Sequence, residues 1–62
     1  MTSNNKMTYM VTMYRDGAFV HEVERNNRDA AELVALDAFR AGCEVTIYHN
    51  GRALRGWYRR AA

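Results

Sequence analysis

The sequence predicts an α+β fold, a two-layer sandwich of ββαββ order in which one helix packs on a four-stranded antiparallel sheet. Three observations point there. Two stretches alternate apolar and polar residues with the period of a strand and run into a turn dipeptide, Asp16-Gly17 in one and Asn50-Gly51 in the other. The heptapeptide carrying that turn is nearly duplicated: VTMYRDG at residues 11–17 recurs as VTIYHNG at residues 45–51. Between the copies lies one stretch of helical composition, NNRDAAELVALDAFRAG. Each copy reads as the first strand and turn of its own hairpin. Duplication and convergence on good hairpin chemistry both account for so short a match.

Residues 1–5 are polar and are expected to form a disordered tail ahead of a single domain at residues 6–60. In the first strand, Met7, Tyr9, Val11 and Met13 share one side, and Thr8, Met10, Thr12 and Tyr14 the other. Residues 18–25 return alongside it. A regular ladder from a two-residue turn would set Val11 against Glu22 and Tyr9 against Glu24, which buries acids. A three-residue loop, Arg15-Asp16-Gly17, instead pairs Met13 with Phe19, Val11 with His21 and Tyr9 with Val23, and puts Gly17 at the left-handed position of a bulged turn. Burial favours this second register, because a slip of one residue turns every side chain over.

The helix is expected over residues 28–41. Asn26 or Asn27 can cap it, since a short side-chain carbonyl accepts a free first-turn amide, and Asp29 and Glu32 suit the positive end of its dipole. Gly42 is the expected left-handed stop. Ala30, Val34, Ala38 and Ala41 fall on one stripe, with Ala31 beside it, and their small size allows close approach to a sheet. Leu33, Leu36 and Phe39 lie off that stripe and form a candidate homodimer surface. Residues 43–49 then read as the third strand and residues 52–60 as the fourth. Two registers compete for this hairpin. The two-residue turn that Asn-Gly favours pairs Ile47 with Leu54 and Val45 with Gly56; a three-residue loop pairs Ile47 with Ala53 and Cys43 with Trp57. The former is preferred.

Size and composition narrow the function. A chain of 62 residues has room for one domain, and one so small hides only about 60% of the surface its unfolded form exposes. Its core is therefore expected to be thin. Cys43 is the single cysteine, so no disulfide forms within the chain, and with His21 and His49 it makes no paired spacing for zinc. No metal or cofactor is expected. The lone cysteine and the lack of a signal peptide suggest a reducing cytoplasm, and no apolar run approaches the ~20 residues of a membrane span. Charge is uneven: residues 1–51 hold five cations against seven acids, a balance of −2, whereas residues 52–62 hold Arg52, Arg55, Arg59 and Arg60 and no acid, a balance of +4. Such a basic end suits nucleic acid, although arginines on a terminal strand also keep an edge soluble.

A lone helix covers one face of a sheet. The opposite face would present Met10, Thr12 and Tyr14 with Glu44, Thr46 and Tyr48, joined in the preferred register by Arg55, Trp57 and Arg59. Tyrosine, tryptophan and arginine are enriched where interfaces carry their binding energy, so Tyr14, Tyr48, Arg55, Trp57 and Arg59 are the candidate partner-binding residues. Catalytic readings are poorer. His21 falls on the core face, His49 flanks a turn and is expected to be solvated, Cys43 opens a strand as a small hydrophobe, and Glu22 and Glu24 read as solvated edge charges. The expectation is a non-enzymatic protein-binding module. A nucleic-acid binder using an aromatic and arginine-bearing sheet is the alternative, set against a mild net charge of +2 and nearby glutamates.

The layout MTYMVTMYRDGAFVHEVE, NRDAAELVALDAFRAG, CEVTIYHNGRALRGWY resembles small proteins of phages and mobile elements, a population that includes anti-CRISPR proteins and other host-takeover inhibitors. The resemblance covers nearly the whole chain in size and element order and implies no residue roles. What it implies is a phage-encoded inhibitor that occupies, without catalysis, a surface of a bacterial nucleoprotein complex in the host cytoplasm.

Overall fold

Four strands and one helix form in the predicted order: β1 (Tyr9–Arg15), β2 (Ala18–Arg25), α1 (Arg28–Arg40), β3 (Glu44–His49) and β4 (Arg52–Trp57). The computed structural model describes residues 8–58. The expected tail at residues 1–5, the domain limits at Lys6 and Arg60, and Arg59 lie outside the described residues. The strands make one antiparallel sheet in the order β2-β1-β3-β4, and α1 packs across one face of it. The fold class is the one that the sequence predicts.

The repeated heptapeptide has a geometric counterpart. Thr12 stands directly across from Thr46, its own equivalent in the repeat, and the pairs spread symmetrically from there: Val11 with Ile47, Met13 with Val45, Met10 with Tyr48, Tyr14 with Glu44. A pseudo-two-fold axis normal to the sheet thus passes between the two threonines and exchanges the hairpins. Even the turns match. Asp16 and Gly17 have φ of 55° and 81°, and Asn50 and Gly51 have 55° and 77°. Both are two-residue turns with positive φ at each central position, which fits the twist of the flanking strands and selects Asp, Asn and Gly.

Here the structure corrects the predicted registers. The first hairpin closes with the two-residue turn, Arg15 opposite Ala18 and Tyr14 opposite Phe19, and then bulges at Val20 so that Met13 meets His21, Val11 meets Val23 and Tyr9 meets Arg25. The second has the expected turn, with His49 opposite Arg52 and Tyr48 opposite Ala53. It then bulges at Leu54, so Ile47 meets Arg55 and Val45 meets Trp57 rather than Leu54 and Gly56. Val20 and Leu54 are equivalent in the repeat. An extra residue on the returning strand shifts the ladder by one, which in the first hairpin satisfies the turn chemistry without burying Glu22 and Glu24 and in the second turns Trp57 toward the core.

The core is thin. Val11, Val45 and Ile47 are its largest fully buried side chains, with Met13, Cys43, Ala31 and Ala35 completing it and Tyr9, Val23, Val34, Ala38, Phe39, Leu54 and Trp57 packed around its rim. Fully burying each such aliphatic chain contributes about 1.5–3 kcal/mol. The helix stripe is rotated from the predicted one: Ala31 and Ala35 have no exposed surface, Val34 and Ala38 flank them, and Ala41 is exposed. Alanine at the contact lets the helix settle close to the sheet.

The helix ends follow local chemistry. Asn27 caps α1, its Oδ1 accepting the Ala30 amide at 2.8 Å. At the other end Gly42 takes φ of 108°, and the amides of Gly42 and Cys43 donate to the carbonyls of Phe39 and Ala38, both at 3.0 Å. From the end of β1 the Arg15 guanidinium donates to the Ala41 carbonyl at 3.3 Å and approaches the Cys43 sulfur at 3.5 Å, placing a cation at the negative end of the helix.

This packing makes Ala35 intolerant of bulk. Ala35→Leu should lose about 1–3 kcal/mol by overpacking, whereas Leu33→Ala, on the exposed side, should stay within about 0.5 kcal/mol. Urea denaturation of both variants checks the rotation of the helix; equal losses would contradict it.

Candidate functional site

Two surfaces carry side chains beyond those the fold needs. The first is the sheet face opposite α1. Strand alternation places Met10, Thr12 and Tyr14 of β1 beside Glu44, Thr46 and Tyr48 of β3 on that side. Tyr14 and Tyr48 are half-buried there, as the sequence places them. Two further rings join them. The turn geometry puts Phe19 on this face across from Tyr14, 60% exposed, with the rings edge to face at a centroid distance of 6.3 Å. Beyond the end of β4, Tyr58 folds back over Gly56, and its hydroxyl lies 2.8 Å from the Thr46 hydroxyl while the residue stays 63% exposed. Thr46 is 5% exposed, like its repeat equivalent Thr12, and a Cβ at Gly56 would run into the Tyr58 ring.

The second surface is an open groove of about 380 Å³ between α1 and β4, lined by Asp29, Glu32, Leu33, Leu36, Arg55 and Trp57. The Leu54 bulge brings it into being. By shifting the ladder it turns Arg55 and Trp57 away from the tyrosine face, where the sequence placed them, and onto the helix side. Trp57 packs on the rim of the core, and the Arg55 guanidinium sits 4.6 Å from its ring centroid while approaching Glu32 at 3.6 Å. Arg28 shares the same carboxylate at 3.1 Å. These pairs are largely solvated and contribute little to stability, so they orient Arg55 more than they secure the fold.

The candidate residues therefore divide. Tyr14 and Tyr48 share the sheet face; Arg55 and Trp57 share the groove with Leu33 and Leu36, and Leu33 is 65% exposed. Phe39 packs against the core instead of extending the leucine surface. Sequence reasoning missed Phe19, which it assigned to the buried side, and Tyr58, which it did not place. A signal for Phe19 existed, because the Asp-Gly turn alone puts it across from Tyr14.

Two of the titratable groups with catalytic readings, His49 and Cys43, are tied into the structure. His49 is half-buried rather than solvated, stacked on Tyr9 at 4.2 Å between centroids, and its Nδ1–H donates to the Thr8 carbonyl at 2.9 Å. Cys43 is buried beside Arg15. His21, expected to be partly buried, is exposed at the edge of the sheet. Among the described residues no group of three or more His, Cys, Asp or Glu side chains could hold a metal ion, and no helix is long and apolar enough to cross a membrane. Comparison with protein-family models, curated proteins and solved structures finds no match to this chain.

The cover that Tyr58 forms can be opened on purpose. Gly56→Ala should displace the ring, and Tyr58→Phe should remove its bond to Thr46, each lowering stability by about 1 kcal/mol. Proton NMR of the Gly56 variant checks the geometry: unshifted Tyr58 ring resonances would show that the ring does not lie over Gly56.

Proposed function

We propose that this protein is a non-enzymatic interaction module whose helix-free sheet face docks a partner protein. The observation that carries this reading is the cluster of rings on that face, Tyr14, Phe19, Tyr48 and Tyr58, two of them more than half exposed around a pair of buried threonines. Rings held by a sheet lose little freedom on binding, and aromatic side chains are favoured at the centre of interfaces. His49 and Cys43, the residues with the best catalytic credentials, are committed to packing and to a backbone carbonyl. The likeness to small phage and mobile-element proteins supplies a setting, a phage-encoded inhibitor of the anti-CRISPR kind that binds a bacterial nucleoprotein complex.

The nucleic-acid alternative calls for Arg55, Trp57 and Arg59 beside the tyrosines, of which Arg59 lies outside the described residues. Arg55 and Trp57 stand on the other side of the sheet.

Affinity capture from a bacterial host lysate tests the docking face. Tyr14→Ser and Tyr48→Ser should each release most of the partner retained by the wild-type chain while shifting Tm by only a few degrees, about what ~1 kcal/mol gives in a small domain. Leu33→Ser, in the groove, should retain the partner. Loss with Leu33→Ser and retention with both tyrosine variants would assign the interface to the groove.

A further inference from the structure

The strands sort their charges by face. Every acid in the four strands alternates onto the open face: Glu22 across from Thr12, Glu24 across from Met10, Glu44 across from Tyr14. Every arginine in the strands falls on the helix side: Arg15 reaches the end of α1, and Arg25, Arg52 and Arg55 stand across from Tyr9, His49 and Ile47. The bulges perform this sorting. In a regular ladder from the same turns, Glu22 and Glu24 would oppose Val11 and Tyr9 on the helix side, and Arg55 would oppose Thr46 on the open face.

We propose that the open face takes a cationic segment of a partner protein, whose arginine or lysine side chains lie over the Tyr14 and Tyr48 rings beside the carboxylates of Glu22, Glu24 and Glu44. The inference rests on the reading of this face as the docking surface and names what it docks. A ring face attracts a cation, and guanidinium groups both stack on aromatics and pair with carboxylates. Nucleic acid would bring phosphates against three carboxylates. A second copy placed face to face would bring three more carboxylates and no strand arginine to the contact, and one placed with its helix side on this face would form a head-to-tail contact that closes into a ring or runs on as a filament rather than making a closed pair. The net charge of +2 disfavours general attraction of a cationic peptide, so binding there must come from the face itself.

The test uses the full chain at low salt with three probes: a peptide of alternating arginine and serine, its glutamate-for-arginine counterpart, and a mixed-sequence single-stranded oligonucleotide. NMR should show the arginine peptide shifting Tyr14, Thr46, Tyr48 and Tyr58. The triple variant Glu22→Gln, Glu24→Gln, Glu44→Gln should weaken its binding about tenfold or more, and Glu32→Gln in the groove less than about twofold. Should the triple variant lose its fold by circular dichroism, the single variants Glu22→Gln and Glu24→Gln on the edge strand take its place, each with a smaller loss. Shifts on the open face from the oligonucleotide or the glutamate peptide, without the arginine peptide, would overturn the charge assignment and leave the docking face standing. No response to the arginine peptide, or one confined to the groove, would overturn the inference, while the tyrosine variants in the capture experiment still decide the docking face.

Discussion

The structure depends on a conflict between turn chemistry and burial, and on a single extra residue in each returning strand that resolves it. Asp-Gly and Asn-Gly favour a two-residue turn with positive φ at both positions, and both hairpins adopt it. The side chains that must be buried are one residue out of phase with that turn. Because strand side chains alternate with a period of two, a one-residue bulge is the smallest correction that exchanges the faces. Val20 and Leu54 supply it at equivalent places. From that shift follow the pairing of Val11 with Val23 and of Val45 with Trp57, the groove beside α1, and the separation of acids from arginines.

The near-duplicate halves make a sheet with approximate two-fold symmetry, and the helix breaks it. On one side of the axis Arg15 reaches Cys43 and the end of α1; on the other the equivalent pair, His49 and Tyr9, stack and hold the start of β1 through the Thr8 carbonyl. The same framework thus supports different local jobs. Among the described residues the largest fully buried side chains are Val11, Val45 and Ile47, so stability leans on close helix-to-sheet approach over Ala31 and Ala35 and on well-formed turns and caps. Both tolerate little change.

Much of this was legible in the sequence. The alternation in residues 6–15, the turn dipeptides and the helix bounded by an asparagine cap and Gly42 are local signals with local physical causes, and element order and fold class follow from them. The choice of Asn27 over Asn26 and the rotation of the helix by about one residue depend on packing against the sheet, which no local pattern records. The faces of the fourth strand failed for a different reason. Asn-Gly chemistry read as a regular ladder puts Arg55 and Trp57 on the open face with Tyr14 and Tyr48, because nothing in the local pattern of the fourth strand marks the extra residue at Leu54. That the favoured turn set Val11 against Glu22 was itself the signal of a bulge, since both demands could be met only if the ladder slipped. Tyr58 could be placed only with Gly56 seen as the space beneath its ring.

An aromatic, acid-bearing sheet face and an arginine-bearing helix side give this small domain two surfaces of opposite character. The faces in turn rest on the bulge at Leu54, and side-chain NOEs from the Trp57 indole test it most directly. Cross-peaks are expected from the indole ring to the Val45 methyl groups and to Leu33 or Leu36 in the groove, with none to Glu44 or the Tyr14 ring. Cross-peaks to Glu44, Thr46 or Tyr14, with none to Val45, would mean a regular ladder and would contradict the placement of Arg55 and Trp57 in the groove.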